Sequence, residues 1–512
     1  MTDIAKKKIC IIGGGATGVS LLWCLTSQET IRNQVELTLL HDVGTLGGHS
    51  RTEYPVFGGK PYPVDVGVQF VCPLLYPNTY KMLERPEFRD VVLADGQIKL
   101  SATFTPDLNW GNFPAYQSGP RFAKLYTPEN VLAAERFQSD VVTAPVEHRF
   151  SQTIGEYLKT AQLPEAFVDY FLMPYLSILN GYGDDEQLKL ATFEDLWPIF
   201  TPLMTPGPLA AFTQPGLGWQ RFRDGSASWI DAMATYARGY GARILVNAPA
   251  HAVWPDPSGQ GVWVTFGDPL HPAAMAHKFD AVVLTTDMTT NREQLDNPKN
   301  PLYSNQQAYI SEEKFPLNPG SCYIHQDASV LAPYISTRDE VVQFTACYSY
   351  KPTNGLPYDM STTYSTYLVQ NMLPGLPEPV YVSMYGAYDA PKPPGLQLFP
   401  PVKWRHGRFL GSFMVDSKRG LHNIQGLGNV WFAGNNTTMD SEEGALVSAM
   451  VIAGKVCPDW EYPFYGLDPR SLEATAMYEL MKDEMMFPLS GFGLWRHAHH
   501  WRAMAGAPRR PA

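Results

Sequence analysis

Basic residues are in short supply. The 512-residue chain has 39 Lys and Arg against 50 Asp and Glu, a formal net charge of −11. Nucleic-acid binding needs clustered cations on one surface, so no nucleic-acid partner is expected. Cysteine is scarcer still, with six residues at Cys10, Cys24, Cys72, Cys322, Cys347 and Cys457. No pair has CxxC or zinc-ligand spacing, so neither a disulfide framework nor a metal site is expected. So few thiols, so scattered, read as the buried, reduced cysteines of an intracellular protein. No run of ~18 apolar residues occurs, so no transmembrane helix is expected. Lys6-Lys7-Lys8 before Ile9–Ile12 starts like a secretory leader, but the apolar run ends at Gly13, too soon for one. The expected location is cytoplasmic. A Ser-His-Asp nucleophile elbow, an HExxH metal motif, internal repeats and low-complexity tracts are also missing.

What is present points to a packed globular protein. Hydrophobic residues make up 45% and charged residues 17% of the chain. At roughly 100–200 residues per domain the length fits two to four domains, or two large interleaved ones. The first fifty residues are the most informative. Ile9-Cys10-Ile11-Ile12 reads as a buried parallel strand. Gly13-Gly14-Gly15-Ala16-Thr17-Gly18 follows, then a helix over Val19–Ser27 and a second strand over Val35–Leu40. A GxGxxG alone is weak; between a strand and a helix it is the fingerprint of dinucleotide binding. Gly13 allows the tight turn, Gly15 lets a diphosphate approach bare backbone, and Gly18 lets helix and strand pack closely. Ala16 and Thr17 lie at the helix N-terminus, where unpaired N–H groups attract anions. An acidic residue closing the second strand should hold the ribose hydroxyls; Asp42 is the obvious carboxylate, His41 is the alternative at the strand end, and the sequence leaves open which one does so.

Gly44-Thr45-Leu46-Gly47-Gly48-His49-Ser50-Arg51-Thr52 adds a second glycine pair, which a simple dehydrogenase does not need. It resembles the FAD-binding amine oxidases, phytoene desaturases and protoporphyrinogen oxidases, with Gly47, Gly48 and Thr52 matching. His49 stands where Arg or Lys is common, and Arg51 is displaced by two. Val64-Asp65-Val66-Gly67 resembles the same families' turn beside the flavin. Gly428–Asn436 resembles their late strand ending in Phe-Ala-Gly. There Gly434 precedes Asn435 and Asn436, which replace the family's ribityl-binding acid. Ser441–Ala449 resembles the following helix, with Gly444 and Ala445 near its start. The resemblance implies that this helix points its N-terminus at the flavin pyrimidine and stabilises negative charge there. Arg223-Asp224-Gly225-Ser226 opens another helix, over about Ser228–Tyr240, followed by a strand over Ala242–Asn247. Ala250 then falls where the families hold adenine, and Phe279–Thr286 resembles a strand returning to the FAD domain. A looser resemblance is to FAD-dependent polyunsaturated fatty acid isomerases, through Met173-Pro174-Tyr175 and Asn180-Gly181-Tyr182-Gly183.

The resemblance implies an α/β fold: a Rossmann-type FAD-binding domain (glutathione reductase-like) interleaved with an α+β substrate domain containing a mixed sheet. The FAD domain is expected at 1–85, 215–295 and 405–458, and the substrate domain at 86–214 and 296–404. A C-terminal helical tail is expected at 459–512. Helical patches are read at Phe150–Ala161 and Glu165–Leu179. Period-two alternation at Ser361–Tyr367 and Val380–Tyr385 predicts strands. Tyr364, Tyr381 and Tyr385 are the candidate catalytic residues, with Tyr367 beside them, since a phenol can orient a substrate or donate a proton. His325, His406 and His422 are further acid–base candidates. The tail reads as a helix packed on the body, with a basic, aromatic end that is an alternative membrane-surface segment. The implied function is FAD-dependent hydride transfer from a C–N or C–C bond of a small apolar or aromatic substrate. The alternative is double-bond isomerisation or desaturation of an unsaturated lipid-like molecule.

Overall fold

The computed structural model describes residues 5–486, apart from segments 96–100, 106–107, 112–126, 180–187, 201–218, 268–275, 311–314, 332–343, 348–363, 391–392, 408–419 and 439–440 and single positions 74, 145, 308, 316, 374 and 388. The Asn180–Gly183 turn and the basic, aromatic end of the tail lie outside the described residues.

A five-stranded parallel sheet forms the heart of the first domain. Its order is Val430–Phe432, Ala281–Leu284, Lys7–Ile12, Val35–Leu40 and Arg243–Leu245. Lys7–Ile12 is central, with Ile9 opposite Ala281 on one side and Leu37 on the other. Both faces of such a strand are covered, which is why the sequence shows an unbroken apolar run rather than alternation. Helices Ala16–Ser27, Ala227–Gly239 and Glu442–Val456 cover the sheet, the first packing between the other two. A three-stranded antiparallel sheet, Ala250–Pro255, Val262–Phe266 and Ala276–Phe279, is inserted before the strand Ala281–Leu284.

The second domain is built on a seven-stranded sheet. Its order is Val402–Gly407, Leu317–His325, Tyr381–Tyr385, Tyr364–Leu368, Phe344–Cys347, Ser101–Thr105 and Leu108–Gly111. All neighbours are antiparallel except Phe344–Cys347 with Ser101–Thr105, so the sheet is mixed. The edge strand Val402–Gly407 remains with this sheet to its end, two residues past the boundary read at 405. Helices Pro128–Thr143, Ile154–Ala161 and Met173–Leu179 pack beside it in one core with Val382 and Met384. Thr153 and Glu156 form a reciprocal capping box that fixes the start of Ile154–Ala161.

The helix Pro469–Met486 sets Met477, Tyr478, Met481 and Met485 into the same core as Ile9 and Ile11. The body-packing reading of residues 469–486 is therefore the observed one. Among the described residues no helix is long and apolar enough to cross a membrane. Cys10, Cys24, Cys72, Cys322 and Cys457 are all buried.

Candidate active site

The carboxyl ends of the parallel strands open into a cavity of about 520 Å³. This is where ligands enter open α/β sheets, because side chains there come from loops free to diverge. Lys7–Ile12 delivers Gly13–Thr17, Val35–Leu40 delivers His41 and Asp42, Ala281–Leu284 delivers Thr285–Asp287, and Val430–Phe432 delivers Asn435 and Asn436. Gly47–Ser50, Gly67, Val68 and Tyr76 add a second wall, and Ser441, Glu442 and Ala445 a third. The mixed sheet closes the remaining side with Tyr367, Met384 and Trp404–Gly407.

The two glycine loops pair with each other, Gly47 N–H donating to the Gly14 carbonyl at 2.9 Å. Two of the glycines have different causes. Gly18 is required by the fold, since a Cβ there would sit 1.9 Å from the Gly13 carbonyl oxygen. Gly15 is not. Its backbone is extended, at φ −74°, and a Cβ would meet nothing nearer than the Gly48 Cα at 3.9 Å. It begins the helix Ala16–Ser27, whose N-terminus has no side-chain cap and no acid in its first turn. Bare backbone beside an uncapped helix end is an anion cradle that a side chain would fill.

His41 Nδ1 accepts the Gly14 N–H at 3.1 Å, and His41 Nε2 lies 2.9 Å from the Thr45 carbonyl. Asp42 is more open, with 69% of its side chain exposed against 10% for His41. His49 turns toward the mixed sheet. Its ring centroid is 4.4 Å from that of His406 and 5.8 Å from that of Trp404. Arg405 reaches Asp287 at 3.1 Å and Thr290 Oγ1 at 2.9 Å, tying the edge strand to the loop after Leu284. The helix Glu442–Val456 also aims its N-terminus at the cavity, but Ser441 caps it and two buried acids occupy its first turn. Glu442 accepts from Ser50 Oγ at 3.1 Å.

Several expected residues stand elsewhere. Thr52 and Asp65 do not line the cavity. Thr52 Oγ1 donates to Asp65 Oδ1 at 2.6 Å, and Asp65 Oδ1 accepts the Ser226 N–H at 2.7 Å. The Ala227 N–H reaches Thr52 Oγ1 at 3.0 Å, so the pair caps the helix Ala227–Gly239. Burial pushes the Asp65 carboxyl above its ordinary value, against the pull of those donors. Arg51 pairs with Glu53 outside the cavity. Ala250 packs in the core beneath the antiparallel sheet, and Gly434 and Gly444 support the walls without lining them.

Parity decides where the tyrosines lie. On Tyr381–Tyr385, Val382 and Met384 face the helical core and the cavity; Tyr381 and Tyr385 belong to a separate buried cluster with Tyr323 on the opposite face. Tyr364 is opposite Tyr385 in register. Its side chain lies outside the described residues. Tyr367 does line the cavity. His325 is fully buried on the far face, bonded to Ser383 Oγ at 2.8 Å, with burial holding its pKa down at about 4. His422 is not on the cavity wall, whereas His406 is. Sequence reasoning missed Thr285, Asp287, Trp404, Arg405 and Glu442. The first two follow a parallel strand as Gly13 does, and that rule could have found them.

A family model, the NAD(P)-binding Rossmann-like domain, matches residues 11–86. Among curated proteins, none matches this chain. Solved structures with a similar fold include a CLA-producing fatty acid isomerase from P. acnes, at 13% identity and TM-score 0.59, covering 90% of this chain and 100% of the other. A protein assigned as a protoporphyrinogen oxidase from Exiguobacterium sp. 255-15 has 14% identity and TM-score 0.58, covering 88% and 99%. Cyclohexylamine oxidase from Brevibacterium oxydans IH-35A has 14% identity and TM-score 0.56, covering 88% and 100%. The chain thus shares its fold with these solved structures, and residues 11–86 match a Rossmann-like domain. At these identities the likeness is one of fold.

Proposed function

We propose that the chain is a flavoprotein oxidoreductase that holds FAD in this cavity and takes hydride from an apolar organic substrate. The observation that carries the reading is Gly15. The protein has room for a side chain there and no backbone need for glycine, so the absent Cβ serves a close-approaching ligand. The N–H groups of Ala16 and Thr17 would receive the diphosphate, and Asp42 the adenosine ribose. Gly47–Ser50, Gly67, Asn435, Asn436 and Ala445 would carry the remainder of the cofactor. Bound FAD supplies a two-electron acceptor for hydride. The chain's own part is to exclude water and orient the substrate, with Tyr367, Met384 and Trp404 as its apolar surface.

The test is anaerobic mixing of the holoprotein with amines and unsaturated lipids, followed by admission of oxygen. Bleaching on mixing and peroxide on reoxidation are expected. Rearranged product with no lasting bleaching and no oxygen uptake would instead favour double-bond isomerisation. With a turned-over substrate, Tyr367→Ala lowers kcat/KM by about tenfold or more, since it removes a wall of the cavity. Tyr381→Phe and Tyr385→Phe change it by less than about twofold, because their rings lie on the other face of the sheet.

A further inference from the structure

The residue closing the second strand carries an inference that rests on the FAD reading and deepens it. His41 Nδ1 has two partners that exclude one another. The Gly14 N–H, at 3.1 Å, needs a lone pair on that nitrogen. The Asp42 Oδ1, at 3.2 Å, needs a proton on it. The Thr45 carbonyl, 2.9 Å from Nε2, can only accept. The Gly14 and Thr45 contacts together therefore define the neutral ring with its proton on Nε2. In that state the imidazole spans both glycine loops, its Cγ within 2.7 Å of where a Gly14 Cβ would stand, while Asp42 remains open to the cavity.

We infer that His41 is a positioning residue: its neutral ring holds the two glycine loops in register and leaves Asp42 to the adenosine ribose, and its protonation draws Asp42 away. A second proton, on Nδ1, removes the acceptor for the Gly14 N–H and completes an ion pair with Asp42. Asp42 is the only charged group among the described residues within ion-pair reach of the ring. The segments hydrogen-bonded to the ring and to its backbone, Gly13–Gly15, Thr45–Leu46 and Leu245–Ala248, bring no titratable side chain.

The sign of the effect is diagnostic. An imidazolium acting directly on the cofactor diphosphate would tighten FAD in acid. One that captures Asp42 loosens it. The experiment measures FAD dissociation by flavin fluorescence for the wild type, His41→Asn and Asp42→Asn. Imidazole ¹⁵N spectra of the cofactor-free wild type are recorded in parallel. The wild type is expected to bind FAD at least about tenfold more weakly at about pH 5.5 than at about pH 8. His41→Asn keeps an acceptor for the Gly14 N–H but loses the ring's reach to Thr45 and its titrating proton, so it is expected to bind more weakly than the wild type at about pH 8, with a flat profile. Asp42→Asn is expected to bind weakly at both pH values. The ¹⁵N spectra are expected to show the Nε2–H tautomer at about pH 8. Tighter binding in acid, an equal pH slope in His41→Asn, or the Nδ1–H tautomer would overturn the inference. Failure of the wild type to bind FAD at any pH would overturn the cofactor reading along with it, a result none of those three gives.

Discussion

Gly15→Val yields a folded protein without flavin. The substitution enters extended backbone that valine adopts readily, and its Cβ meets only the Gly48 Cα at 3.9 Å. Folding stability therefore changes by no more than about 1 kcal/mol. The methyl groups project into the approach between the two glycine loops, where the diphosphate must come against bare N–H groups. Cofactor content falls from near full occupancy to below detection, while the circular dichroism and the melting midpoint remain close to wild type. Gly18→Ala is the contrasting control. Its Cβ would lie 1.9 Å from the Gly13 carbonyl oxygen, so backbone must shift and stability falls by about 2–4 kcal/mol. Full FAD occupancy in Gly15→Val would remove the main support for the cofactor reading.

The second large effect is expected at Glu443, where three helices meet. Its carboxylate accepts the N–H groups of Asn78 and Thr79 at 2.8 and 2.9 Å, together with Asn78 Nδ2 and Thr79 Oγ1. Asn78 in turn donates to the Ala474 carbonyl and accepts from the Tyr462 hydroxyl. The node joins Pro77–Leu83, Glu442–Val456 and Pro469–Met486. Glu443→Ala leaves the Asn78 and Thr79 donors without an acceptor, which costs about 3 kcal/mol or more in urea unfolding. Burial raises the Glu443 carboxyl from 4.5 to about 7, so ionisation is harder in the folded protein than in the unfolded one. Its contribution to stability is thus greatest in acid, falls as pH rises from about 4.5 to about 7, and is level above. Urea titrations across that range should show the decline in wild type and lose it in Glu443→Ala.

Local signals were readable wherever chemistry and backbone coincide. The strand before Gly13 follows from short-range pattern, an apolar run dictated by its own burial, whereas the strand Val430–Phe432 and the helix after Ser441 follow from the family resemblance. The mixed sheet also followed from alternation around Tyr381–Tyr385. Alternation gives two faces without naming which one meets the cavity. That choice depends on how the sheet docks against loops distant in the chain, and Tyr381 and Tyr385 lie on the face away from the cavity. Asp65 shows a different limit. A motif beside a cofactor locates the backbone, while this side chain turns to a helix end at Ser226, 161 positions along the chain. Trp404 and His406 reach His49 across a domain boundary and leave no local trace in sequence. The contacts of His41 leave no local trace either, since its two ring nitrogens find Gly14 and Thr45 in separate glycine loops.

The most direct measurement is the flavin content of the purified wild-type chain, by absorption of the native protein and mass of the molecule released on denaturation. The account predicts a yellow protein with one FAD per chain, recovered after stripping when FAD is added back. A colourless protein that takes up no added FAD at about pH 8, while remaining folded, would contradict it.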